Sequence, residues 1–281
     1  MRSSLKEVLE QAKAGRYAVP AFNVLNHLSL AAVLKAAEQE HSPVIVQTSV
    51  TTVKALGDRA LARLARALID DASVPAVLHL DHCQDLTLCS RCCDLGWDSV
   101  MFDSSHLPFE ENIVMTKIVR ADARSKGVDV EGEVGIIAGV EDDISHAASS
   151  LAGYEETMRY IQETNVEAIA PAIGTAHGVY EGIPVINFDL VRQLGERTEC
   201  PVVVHGGTGL DDDTFRRLIE LGATKINIST ALKHTYIGAL RTYLAENTDK
   251  VNPLKLDHFA SEQLITLAGS FMRLFGSSGK A

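Results

Sequence analysis

An α/β fold, specifically a single (β/α)8 barrel, is what this 281-residue sequence predicts, and three observations carry that reading. Short runs rich in Val, Ile and Ala alternate with longer stretches of helical periodicity. The alternation repeats eight times, the number of parallel strands that closes a barrel. No glycine fingerprint of a dinucleotide-binding half is present, which tells against the rival, an open doubly wound sheet.

In chain order, strands are expected over residues 18–23, 44–47, 76–80, 99–103, 129–133, 168–173, 202–205 and 225–228. Helical patterns fall between them, for example over 28–39, 61–71, 110–126 and 211–221. Asp211 is placed to cap the last of these at its start and Gly222 at its end. No linker or shift in composition divides the chain, so residues 1–281 read as one TIM-barrel domain. Two segments exceed an ordinary connection. Residues 134–153 follow the fifth strand as a loop rich in Gly, Asp and Ser, and residues 252–281 form a tail of one or two extra helices. Long loops inside domains are usually functional.

Composition narrows the function. The formal charge is −11 with no basic cluster to offset it, which argues against nucleic-acid binding. An anionic ligand would need local donors instead. No apolar run reaches the ~18 residues of a membrane span, and the N-terminal MRSSLKEVLEQAKAG has no apolar signal core, so a soluble cytoplasmic protein is expected. The cysteines (Cys83, Cys89, Cys92, Cys93, Cys200) are odd in number and irregularly spaced. Cys89 and Cys92 form a CxxC without a second pair, and read as reduced packing residues on a helix.

Residues able to bind metal or move a proton gather at the carboxyl ends of the expected strands, the face where barrel active sites lie. Asp81 and His82 follow the third strand, Asp103 ends the fourth and Glu133 ends the fifth. His177 follows the sixth, His205 ends the seventh and Asn227 lies at the end of the eighth. Three imidazoles with an open position describe a catalytic zinc site. Of the other histidines, His27, His41, His234 and His258 are expected at the surface, and His106 and His146 in loops on the active face. His79 stands three residues before His82, an offset that sends it to the opposite face and into the core. Gly174, Gly178, Gly206, Gly207 and Gly209 allow backbone to approach a ligand, and Thr208, Asn227, Ser229 and Thr230 add neutral donors. Thr230 is a candidate helix N-cap near the usual phosphate site of barrels.

With these residues in view, the sequence resembles the class II, metal-dependent ketose-bisphosphate aldolases, nearest the fructose- and tagatose-bisphosphate branch. The likeness runs through PAFN (20–23), VQTS (46–49), HLDH (79–82), SVMFDSS (99–105), EGEVG (131–135) and GVEDD (139–143). It continues in AIGTAHGVY (172–180), VHGGTG (204–209), KINIST (225–230) and RLFGSSGKA (273–281). It implies zinc held by His82, His177 and His205, with Asp103 and Glu133 at an alternative or second metal position. Asp81 would exchange a proton with the C4 hydroxyl of the substrate, and Glu141 would handle the proton at C3. Gly178, Gly206, Gly207, Thr208, Asn227, Ile228, Ser229 and Thr230 would form the dihydroxyacetone-phosphate site, with Asn23 and Ser49 toward the other substrate end. A small-molecule sugar phosphate as substrate, a monovalent cation as additional cofactor, and a homodimer or homotetramer follow from the same resemblance.

The residues agree with metal chemistry rather than a Schiff base, which needs an inward lysine on a strand. The sixth-strand region AIAPAIG has none, and Lys225 starts rather than ends the eighth. Departures bear on the substrate. The family usually has a lysine after the second histidine motif, where this chain has Glu181. The arginine of a tail motif is missing from NPLK (252–255), and the TDP that commonly follows the mobile loop is absent from LAGYEE (151–156). Either Glu181 points to solvent, or the ligand's anionic group is displaced or absent.

Overall fold

Eight parallel strands close on themselves in sequence order in the computed structural model of this chain. They are β1 (Val19–Asn23), β2 (Val44–Ser49), β3 (Ala76–Cys83), β4 (Ser99–Phe102), β5 (Asp129–Val134), β6 (Ala168–Pro171), β7 (Val202–Val204) and β8 (Ala223–Ile228). The structure describes residues 1–141, 144–146, 150–178, 184–249 and 251–281, with only the backbone described for residues 138, 140, 141 and 144–146. All eight strands lie within a few residues of their expected positions. Among the described residues, no helix is long and apolar enough to cross a membrane.

The barrel interior is layered. At its amino end Val19, Ala21, Ile45, Val77, Ala168, Ala170 and Val203 pack with Leu5, Val8, Leu9 and Ala12 of the helix Leu5–Gly15, which closes that end as a plug. This helix is capped by Ser4, whose side chain accepts from the Glu7 N–H. Outside the barrel, apolar faces of the surrounding helices cover the strands. The helix Pro253–Leu274 lies across one flank, where Phe271 meets Phe22 edge-on with ring centroids 6.3 Å apart.

Four expectations need correction. Residues 134–153 are not a plain loop. They contain an antiparallel hairpin, Ala138–Glu141 with Ile144–His146, whose first strand pairs in parallel with Ala176–His177. Gly139 makes that pairing possible: its φ is +109°, and a Cβ there would stand 2.2 Å from the His177 carbonyl oxygen. Asp211 does cap its helix, accepting from Thr214 N–H at 2.8 Å, but the C-cap is Leu221, with Gly222 just beyond. The helix after β8 starts at Thr230 itself; the N-cap position is Ser229, whose side chain makes no capping hydrogen bond among the described residues. Finally, Lys225 is the third residue of β8 and is completely buried inside the barrel.

The cysteines behave as packing groups. Cys83, Cys89, Cys92 and Cys93 are buried and Cys200 is half-buried, all as free thiols. Burial pushes Cys93 and Cys200 up to about 12, so neither is a ready nucleophile.

The plug can be tested apart from the chemistry. Leu9 is fully buried beneath the barrel, so Leu9→Ala should destabilise the fold by about 2–5 kcal/mol. Thermal or denaturant unfolding measures this, and metal affinity should not change.

Candidate metal centre and catalytic rim

Strand geometry alone would separate Asp81 from His82, because neighbours on a strand face opposite ways. The chain overcomes this at His82, whose φ of +45° is left-handed and coincides with a register shift between Leu80 and Cys83. A non-glycine residue in that region costs of order 1–3 kcal/mol. The strain turns His82 inward beside Asp81. It also explains why His79 is not on the opposite face. His79 and Asp81, two apart, both point into the barrel, and His79 is fully buried there.

The three histidines converge. His205 Nδ1 and His82 Nε2 face each other at 2.7 Å, and the ring centroids of His82 and His177 are 4.9 Å apart. Ligand atoms of His82, His177 and His205 all lie within 4.8 Å of one another, and those of His82, Asp103 and Glu133 form a second such group. His82 joins the two, because its Nδ1 lies 3.0 Å from Asp103 Oδ2 while Nε2 faces the other rings. Asp103 is fixed in turn, accepting through Oδ1 from the Ser105 N–H at 3.1 Å and hydroxyl at 2.7 Å. Among the described residues, Glu133 Oε2 is buried without a hydrogen-bond partner, 3.8 Å from His205 Nδ1. An unpaired buried carboxylate oxygen among imidazoles is what a cation site offers.

Charge balance points the same way. Burial, reinforced by His82, holds His177 and His205 well below the usual imidazole range, which leaves them neutral as metal ligands must be. Burial also lowers His82, but Asp81, Asp103 and Glu133 outweigh it and raise His82 well above that range. Burial and the nearby Asp103 carboxylate raise Glu133. The acids hold a proton where a divalent cation would supply the charge.

Asp81 is the best-positioned base. Burial opposes its charge, but His82, His205, Lys225 and the amide of Asn23 bring it below the usual carboxylate range. Asn23 Nδ2 donates to Asp81 Oδ2 at 2.7 Å, and Asn227 Nδ2 donates to Oδ1 at 3.3 Å. Gln47 Nε2 donates to Asn23 Oδ1 at 2.9 Å, so Asn23 is engaged on both sides and orients Asp81. Ser49 stands beside Asp81 in the strand register, and its hydroxyl accepts from the Thr52 N–H as a helix N-cap.

Gly206 and Gly207 follow β7. A Cβ on Gly206 would come within 2.4 Å of the Ala176 carbonyl oxygen, and one on Gly207 within 2.9 Å of the Asn227 carbonyl oxygen. This close packing brings the segments after β6, β7 and β8 together. Gly178, with φ +89°, lies on the first of them, directly after His177. Thr208 accepts from the Ala231 N–H at 3.4 Å, which ties the glycine segment to the start of the helix Thr230–Glu246. Among the described residues, the Ser229 hydroxyl is buried without a hydrogen-bond partner, and the Ile228 side chain belongs to the core, so only its main chain can meet a ligand. Glu141 ends a strand that pairs with the His177 segment, but its side chain is outside the described residues, as is Glu181 altogether. His106 is exposed, as are His27, His41, His234 and His258, while the His146 side chain is not described.

Residues 3–280 match the family model of the class II fructose-bisphosphate aldolases. The chain belongs to this family. It is 39% identical to a Halalkalibacterium halodurans protein named 6-phospho-5-dehydro-2-deoxy-D-gluconate aldolase, over 99% of this chain and 97% of that one. To a fructose-bisphosphate aldolase of Geobacillus stearothermophilus it is 37% identical, over 99% and 98% of the two chains. The crystal structure of the YdjI aldolase from Escherichia coli K12 superposes with a TM-score of 0.89 at 30% identity, covering 100% of both chains. As a class II aldolase, the protein is a carbon–carbon lyase.

Missing from the expected site is the layer below it. Glu131 and Lys225 lie between the apolar plug and the rim, both completely buried, with Lys225 Nζ 2.6 Å from Glu131 Oε2. The signal was available. Stepping back two residues along a strand from Glu133, Asn227 and Asp81 lands on Glu131, Lys225 and His79, each a polar group at an inward position.

Because a proton on His82 competes with a cation, acidification should weaken divalent-metal binding. Below the raised His82 pKa, affinity should fall about tenfold per pH unit. Calorimetric titration in buffers of different ionisation enthalpy should show release of about one proton per metal at neutral pH. Zero release would mean that the rim acids do not hold a proton on His82.

Proposed function

We propose that this aldolase is zinc-dependent and cleaves a ketose phosphate reversibly to dihydroxyacetone phosphate and an aldehyde. The observation that carries the reading is Asp81, an ionised carboxylate held by two amides beside three converging imidazoles. His82, His177 and His205 would hold the metal, and Asp103 and Glu133 offer an alternative or second position. A bound divalent cation supplies Lewis-acid stabilisation of the negative charge that develops as the carbon–carbon bond opens.

The residues divide the remaining work. Asp81 takes the proton from the C4 hydroxyl as the C3–C4 bond breaks, so the distal fragment leaves as an aldehyde. Glu141, on the hairpin paired with the His177 segment, delivers the proton to C3 of the three-carbon fragment. The main chain of Gly178, Gly206, Gly207 and Ile228, with Thr208, Asn227, Ser229 and Thr230, binds the phosphate through neutral donors. Asn23 and Ser49 border the distal end, where Asn23 also keeps Asp81 in place. Lys225 takes no covalent part, because its amine is held by Glu131.

For the substrate, the sequence favours a single phosphate at the ketone end. NPLK lacks the tail arginine suited to a second phosphate at the far end, while Glu181, standing where a cation is usual, leaves the ketone-end phosphate to the neutral donors. Relatives at 39% and 40% identity carry the name of an aldolase for a sugar-acid monophosphate, which supports the same reading.

Asp81→Ala should lower aldol cleavage about 10²–10⁴-fold with metal content unchanged. Glu141→Ala should chiefly slow hydrogen exchange at C3 of dihydroxyacetone phosphate. An Asp81→Ala enzyme that cleaves at the wild-type rate removes the proposed base. In wild type, kcat/KM should be higher for ketose monophosphates or sugar-acid phosphates than for fructose and tagatose bisphosphates; the reverse order contradicts the single-phosphate reading. Borohydride with substrate should leave activity intact.

A further inference from the structure

Beneath the rim, five buried polar side chains form one chain of contacts. His205 Nε2 lies 2.8 Å from Glu131 Oε1, and Glu131 Oε2 lies 2.6 Å from Lys225 Nζ. Lys225 Nζ is 3.4 Å from His79 Nε2, and His79 Nδ1 is 2.7 Å from the Ser99 hydroxyl. Glu131, Lys225, His79 and His205 come from β5, β8, β3 and the residue after β7, so the barrel itself assembles the chain.

An interior ion pair is a poor source of stability, since desolvation offsets much of the attraction. Its geometry toward His205 gives it a different use. A carboxylate can only accept, so Glu131 requires a hydrogen on His205 Nε2. The neutral ring then has its lone pair on Nδ1, the nitrogen that faces His82. Lys225 is required because it occupies the second carboxylate oxygen and fixes the plane of the group. The ammonium has no lone pair, so His79 accepts from it through Nε2 and donates through Nδ1 to Ser99. Every donor and acceptor along the chain then has one consistent assignment.

We infer that Glu131, held by Lys225, is a positioning residue that sets the tautomer of His205 and so presents Nδ1 to the metal. The inference rests on the metal-binding reading above. The two fail differently, because the tautomer exists without metal and metal binding by wild type is measured separately.

Glu131→Gln provides a sharp test. The amide resembles the carboxylate in shape, but one end donates and the other accepts. With Lys225 present, the amide oxygen turns to the ammonium and the NH2 turns to His205, which reverses the ring's tautomer. Zinc affinity, measured by competition with a chromophoric chelator, should fall about 10–100-fold. In the double variant Glu131→Gln/Lys225→Met the amide oxygen is free to face His205, and part of the lost affinity should return. A purely structural role predicts the opposite, because the second substitution would add to the damage.

The wild-type protein is the safeguard against misfolded variants. In metal-free protein labelled with ¹⁵N-histidine, His205 should show the Nε2–H tautomer. A folded Glu131→Gln variant that binds zinc as tightly as wild type, or a wild-type His205 carrying its hydrogen on Nδ1, overturns the inference. Failure of wild type to bind zinc at all overturns the metal reading instead.

Discussion

The structure depends on burying negative charge inside a closed barrel. Asp81, Asp103, Glu131 and Glu133 are each within a few per cent of full burial, and the buried Lys225 reaches Glu131. Carboxylates removed from water are costly unless paired. Lys225 pairs with Glu131. Asp81 is satisfied by two amides, and Asp103 by Ser105 and His82. What is left over is raised on His82, which the neighbouring acids push upward against the effect of burial, and on Glu133, which burial and the Asp103 carboxylate push upward. A divalent cation held by the imidazoles would relieve both at once.

Barrel closure makes that concentration possible. Each strand contributes alternate residues to the interior, so eight short strands deliver a plug layer, an ionic layer and a catalytic rim in succession. The apolar layer keeps the amino end dry. The ionic layer orients what stands above it, and the rim opens toward the segments after β6, β7 and β8. The strained backbone at His82 adds a second inward side chain at the end of β3, where strict alternation allows only one.

Much of this was legible in the sequence. The strands announced themselves as apolar runs between helical stretches, and the rim residues as polar groups at the ends of those runs. Three features were not, each for a physical reason. The hairpin at Ala138–Glu141 and Ile144–His146 is short and glycine-rich, and its pairing with the His177 segment is tertiary rather than local. Strict alternation sends His79 to the face opposite His82, and the left-handed backbone at His82 breaks that alternation. Lys225 stands at the start of its expected strand and Glu131 enters only as part of EGEVG, because their pairing exists only once barrel closure brings β5 and β8 to the same interior. The identity of the substrate depends on Glu181 and on the missing tail arginine, features whose effect lies in the ligand rather than in the fold.

The zinc-edge X-ray absorption spectrum of the protein loaded with one equivalent of zinc tests the three-histidine site directly. The expected first shell is nitrogen and oxygen at about 2.0–2.2 Å with the multiple-scattering pattern of three imidazoles. A sulfur shell near ~2.3 Å, which would place the metal at the buried cysteines, or a spectrum without imidazole scattering, would contradict it.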